Sequence, residues 1–259
     1  MPELTLPVLS QWLGAWLYPL ARIGGFLIVA PVFGMQLVPA RIRAGLAILA
    51  CALLAPLLPP PPALDPLSLE AGLLISSQVL IGLGMGFAMQ LFFQVFVFGA
   101  QLMAMQMSLG FASMVDPANG VSVTVLAQYF VVLLTLVFLA TNGHLAMLEV
   151  LLESFRFVPV GAALPSAQWS WTLAAAASWL FLSGLLLALP VVTALLIVNL
   201  AFGVMTRAAP QLNVFSLGFP MSMLFGLFIV WASSASFLPS FDTLAREAFA
   251  LLRLLAGAP

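Results

Sequence analysis

The stretch "AGLLISSQVLIGLGMGFAMQLFFQVFVFGA", residues 71–100, contains no charged side chain. A helix crosses the hydrocarbon core of a bilayer with roughly 20 apolar residues, and this run is longer than that. Its apolar residues are continuous, not alternating, and rich in leucine, alanine and phenylalanine. A membrane-spanning β-strand would alternate, so the run is expected to be helix. The expectation extends to the whole chain, which is 64% hydrophobic and 6% charged with a mean hydropathy of +1.21. Soluble domains carry roughly 25% charged residues. The fold class is therefore all-α, either an integral membrane protein or a subunit enclosed by membrane-like partners.

Working outward from residues 71–100, five further apolar stretches cover residues 8–33, 44–58, 121–140, 173–202 and 214–238. The second ends in "PLLPPPPALDP", whose consecutive prolines cannot continue a helix and favour a rigid extended connection. Pro19, Pro31 and Pro190 mark expected kinks or helix ends. With six spans, the loops carrying Arg41, Arg43 and Arg207 share one side, assigned to the cytoplasm by the positive-inside rule, and Asp65 and Glu70 face the other. The N-terminus "MPELTLPVLSQW" has no positive region ahead of its apolar run and is expected to be retained. The final stretch, "FDTLAREAFALLRLLAGAP", has the period of an amphipathic helix. Two roles stay open for it: lying along the headgroups, or docking on a partner subunit.

The net charge of −1 excludes a basic nucleic-acid surface. Cys51 is the single cysteine, so it is expected to be buried and inert. His144 is the single histidine, so a zinc pair or a nucleophile triad is not expected. No enzyme active site, metal or cofactor is expected. "GLGMG" places Gly82 and Gly86 four apart, a small-xxx-small pair suited to close helix approach. Arg22 stands inside the first apolar stretch, where a charge costs roughly 2.5–3.5 kcal/mol on insertion scales. It needs helix carbonyls or another subunit's carboxylate. It is also the feature that keeps open a stand-alone secondary transporter of small solutes.

Residues 71–115 are free of charge but punctuated by Gln78, Gln90, Gln94, Gln101 and Gln106. At about 100° per residue, Gln90, Gln94 and Gln101 share a face, and Met85, Met89, Met103 and Met107 share another. The methionines suit packing or, being flexible, the seal of a closed pore. Then comes "MSLGFASMVDPANG", residues 107–120, irregular yet apolar. Non-helical backbone at membrane depth is tolerated only inside protein or along a cavity. As an ordinary surface loop it would instead use Asp116 to cap the next helix. "RAAPQLNVFSLGFP", residues 207–220, gathers Arg207, Pro210, Gln211 and Asn213 between two apolar runs.

"RIGGFLIVAPVFG", "QMSLGFASMVDP", "TNGHL" and "GVMTRAAPQLNVFSLGFP" occur in this order, and in that order the chain resembles the FliR family, subunits of the flagellar type III export gate related to the injectisome SctT family. The resemblance spans residues 22–220. It implies a non-enzymatic subunit that builds, with FliP-like and FliQ-like subunits and beside an FlhB-like subunit, the channel for unfolded flagellar proteins. It places the chain in the bacterial inner membrane at the flagellar basal body, against membrane lipid. An injectisome gate is the alternative within that class. Residues 1–170 are implied to be FliP-like, 171–238 a FliQ-like hairpin and 239–259 an amphipathic tail. Gly110, Phe111, Ala112, Ser113, Met114, Val115, Asp116 and Pro117 match the family's channel plug. Arg207, Pro210, Gln211 and Asn213 are implied to meet other subunits. Arg22, Gln90, Gln94, Gln101, Met103 and Met107 are candidates to line the gate or an interface.

Overall fold

A computed structural model describes residues 6–35, 38–62, 64–65, 68–110, 124–161, 166–208 and 218–258. Among the described residues the structure is helical and no strand occurs. The helices are α1 (Leu6–Val29), α2 (Ala40–Leu54), α3 (Leu69–Gln106), α4 (Val125–Ala140), α5 (Gly143–Phe157), α6 (Ala167–Ala208), α7 (Phe219–Ala232) and α8 (Phe237–Leu255). Short 3₁₀ turns extend α2 (Ala55–Leu57) and join α7 to α8 (Ser233–Ser236). Pro19 and Pro190 lie inside α1 and α6. Pro31 follows the end of α1, where Val32 takes a positive φ of 71°.

The six apolar stretches each carry a helix, but not each is a span. Among the described residues four segments are long and apolar enough to cross a membrane: Ala40–Leu57, Leu69–Gln106, Ala167–Arg207 and Phe219–Leu255. The bent pair α4 and α5 makes a fifth if counted as one. The apolar helical part of α1, Leu13–Val29, is shorter, and α4 alone has 16 residues. The six-span count is therefore corrected, and the assignment of both arginine loops to one side loses its basis. Helix α5 lies outside the expected stretches because Glu149, Glu153 and Arg156 interrupt its apolar run. Its buried positions, Met147, Val150, Leu151, Ser154 and Phe155, follow helical spacing.

The chain divides into two compact units. The first comprises the chain up to Leu91, Phe138–Ala177 and the chain from Glu247. In it α1 and the N-terminal half of α3 meet backbone to backbone. A Cβ added at Gly25 would lie 2.8 Å from the Val79 carbonyl oxygen, and one at Gly86 would lie 2.8 Å from that of Phe26. One at Gly82 would overlap the carbonyl of Arg22. Gly82 and Gly86 thus do what their spacing predicts. Helix α2 rests on α1 through the small residues Ala47 and Cys51. The buried thiol of Cys51 donates to the Trp16 carbonyl at 3.3 Å. Trp169, at the start of α6, lies against Gly84 and donates from Nε1 to the Leu255 carbonyl at 3.0 Å.

The second unit comprises Phe92–Val137 and Ser178–Arg246. Its centre is aromatic: ring centroids of Phe92 and Phe241 are 5.7 Å apart, Phe96 and Phe237 5.5 Å, Phe130 and Phe237 5.9 Å. Such edge-on and tilted rings add to the area they bury. Helices α3 and α6 approach closely, since a Cβ at Gly99 would lie 2.9 Å from the Gly184 carbonyl oxygen.

The amphipathic C-terminal helix is present, and the chain itself takes up part of its apolar face. In the second unit Phe237 and Phe241 are buried among Phe92, Phe96 and Phe130. In the first, Leu252, Leu255 and Ala256 are buried. Leu238 and Leu254 of the same helix stay exposed.

Candidate functional site

Arg22 is fully buried, and the glycine contact explains how it is reached. With no Cβ at Gly82, α3 closes on the Arg22 backbone, which brings Gln78, one turn earlier on α3, beside the guanidinium. Arg22 Nε donates to Gln78 Oε1 at 2.8 Å. Nη1 donates to the carbonyl and hydroxyl oxygens of Ser154 at 3.0 and 3.2 Å, and Nη2 to the Val158 carbonyl at 2.8 Å. The guanidinium carbon lies 4.2 Å from the centroid of the Phe155 ring. Ser154 and Val158 present carbonyls at the C-terminal end of α5, the negative end of its macrodipole. A buried cation is thus balanced by a helix terminus, an amide and a ring. Of the two expected kinds of partner, helix carbonyls supply the contacts. Its place is inside the first unit.

The four methionines, three on α3 and Met107 just after it, are core residues: Met85 and Met89 are 0% exposed, Met103 3% and Met107 1%. A Cβ at Gly226 on α7 would overlap the Met107 side chain, so Met107 seats the end of α3 against α7 within the second unit. Gln90, Gln94 and Gln101 are half-buried. Gln78, the buried member of the series, is the one used by Arg22.

Gly110 ends the described part of the segment that follows α3, after Ser108 takes a φ of 64°. Phe111, Ala112, Ser113, Met114, Val115, Asp116 and Pro117 lie outside the described residues. The cap of the next helix is nevertheless settled. Helix α4 starts at Val125, and the Ala127 amide donates to Thr124 Oγ1 at 3.3 Å. Thr124 holds the N-cap position that the loop reading gave to Asp116, because the helix starts later than position 121.

Arg207 stands exposed in the last turn of α6, where a cation suits the helix terminus. Pro210, Gln211 and Asn213 lie outside the described residues. On either side of that segment, Ser222 of α7 donates to Asn199 Oδ1 of α6 at 2.7 Å. This bond joins α6 and α7 within the second unit. Asn199 was legible only as a lone amide in an apolar run, and Ser222 carried no signal. Among the described residues no three His, Cys, Asp or Glu side chains gather as metal ligands would.

Residues 13–248 match a family described as bacterial export proteins, family 1. Flagellar biosynthetic protein FliR of Escherichia coli (strain K12) is 36% identical over 97% of this chain and 96% of its own length. The protein of the same name from Bacillus subtilis (strain 168) is 28% identical over 81% of this chain and 82% of its own. The surface presentation of antigens protein SpaR of Shigella flexneri is 30% identical over 63% of each.

Proposed function

The chain belongs to the bacterial export proteins, family 1, and on that premise we propose that it is a non-enzymatic subunit of the flagellar type III export gate. The observation that carries this reading is the similarity to a flagellar FliR over 97% of the chain. The shorter reach of the similarity to SpaR, 63% of the chain, favours a flagellar over an injectisome gate. The gate forms with FliP-like and FliQ-like subunits, in contact with an FlhB-like subunit, in the bacterial inner membrane. Residues 1–170 act as the FliP-like portion, and 171–238 as the FliQ-like hairpin. The Asn199–Ser222 bond between α6 and α7 supports that second part. Residues 110–117 plug the channel at rest: Phe111, Met114 and Val115 exclude water, as hydrophobic constrictions do. Arg207, Pro210, Gln211 and Asn213 meet neighbouring subunits.

The transporter alternative drew on a mid-membrane charge free to bind substrate. Arg22 is instead engaged by neutral groups of its own unit. The test is to tag the chain in a strain lacking its own gate subunit of this type. Restored swimming, and recovery of the chain with FliP-like and FliQ-like subunits, are expected. A stable lone chain that moves small solutes into vesicles would overturn the gate reading.

A further inference from the structure

Helix α2 and its 3₁₀ extension present an apolar surface that the chain leaves open. Within Ala40–Leu57 only 11% of the segment is buried. The seam against α1 is made of small residues, Ala47 and Cys51. The opposite side carries Ile42, Leu49 and Leu53, which are 61%, 58% and 66% exposed. Helix partners inside membranes favour small residues that let backbones approach. Ala47 and Cys51 are used in this way on α1; outward, around the exposed Ala44 and Gly45, stand the longer Ile42, Ile48, Leu49 and Leu53, a surface that acyl tails cover. The 18-residue segment is about 27 Å long at 1.5 Å per residue, against a hydrocarbon core of about 30 Å. At one end, in the first turn, Arg41 and Arg43 stand on either side of Ile42. Arg41 is exposed and Arg43 half-buried. At the other end are prolines and Asp65.

We infer that α2 faces lipid, with Arg41 and Arg43 holding the phosphates of anionic headgroups at one membrane surface. Guanidinium forks match phosphate oxygens in geometry and charge, and anionic leaflets attract basic residues at a helix end. The apolar side and the arginine pair together specify an anionic lipid. The inference does not depend on the export-gate reading.

The experiment uses the full chain, purified with its co-expressed partners, in nanodiscs made of equal parts phosphatidylcholine and phosphatidylglycerol. Nitroxide labels go on Leu49→Cys and Leu53→Cys in a Cys51→Ala background. Collisions with oxygen are expected to exceed those with a water-soluble nickel chelate several-fold. Labels shielded from both would mean a protein covers α2, and labels open to nickel would mean water does. Either overturns the inference. In the second arm, detergent washing is expected to leave phosphatidylglycerol several-fold enriched over phosphatidylcholine. Arg41→Gln with Arg43→Gln should bring that ratio to about one, and Lys at both positions should restore part of it. Undiminished enrichment in the double Gln variant, with the complex recovered in normal yield, overturns the headgroup contact.

Discussion

Arg22 shows how a charge is housed where none is expected to be cheap. Its fork makes separate use of Nε, Nη1 and Nη2, reaching one side chain on α3 and two carbonyls at the end of α5. A lysine keeps the charge but donates from one nitrogen instead of three set apart in a plane, so it cannot reach Gln78 and both α5 carbonyls at once. Arg22→Lys is expected to cost about 2–3 kcal/mol, the worth of one or two charged buried hydrogen bonds. Thermal unfolding in detergent should show a midpoint lowered by roughly 5–10 °C. A midpoint within a degree or so of the parent would mean that the fork geometry is not what holds α5. Arg207 differs because its side chain is exposed. If it meets a neighbouring subunit as proposed, Arg207→Lys leaves the chain's own stability unchanged and lowers recovery of the assembled gate. Normal assembly would remove Arg207 from the interface.

Helix α8 and the segment after α3 illustrate opposite relations between an element and its surroundings. Helix α8 is amphipathic, and the rings of Phe237 and Phe241 are part of the aromatic centre of the second unit. Removing residues 241–259 is therefore expected to deplete the folded chain itself, seen as loss of protein from the membrane fraction. The single change Phe241→Ala should cost about 3 kcal/mol as a large-to-small core substitution, read by thermal unfolding. A truncated chain that accumulates and unfolds like the parent would contradict the packing role. The segment that includes residues 110–115 has anchors at its flanks that it does not itself supply. Met107 is seated against Gly226 on one side, and Thr124 caps α4 on the other. Deleting residues 110–115 should thus leave the gate assembled while raising its permeability to ions or small toxic solutes at matched expression. Unchanged permeability of a fully assembled complex would return the segment to the status of a loop.

For the molecule as a whole, much was open to reading from composition and spacing. Residues 71–100 alone indicate helix in an apolar setting, and Gly82 and Gly86 announce the contact they make with α1. The family was readable too, from four short motifs that keep their order over most of the chain, and the match over residues 13–248 agrees. Other features were not readable. Helix α5 is hidden by its three charges, α8's cover by the distance between Phe241 and Phe92, and the α4 cap by a helix start that no residue type dictates. The physical reason is the range of each effect. Transfer of apolar side chains out of water is nearly additive along the chain, and glycine's lack of a Cβ is a local property, so sequence by itself determined the class, the helices and where two of them could touch. Which surface ends up covered, and which acceptor meets a buried cation, depends on residues brought together from far apart. Arg22 and Ser154 are separated by 132 positions. Only the tertiary structure decided that the arginine is answered by the end of a helix instead of a carboxylate.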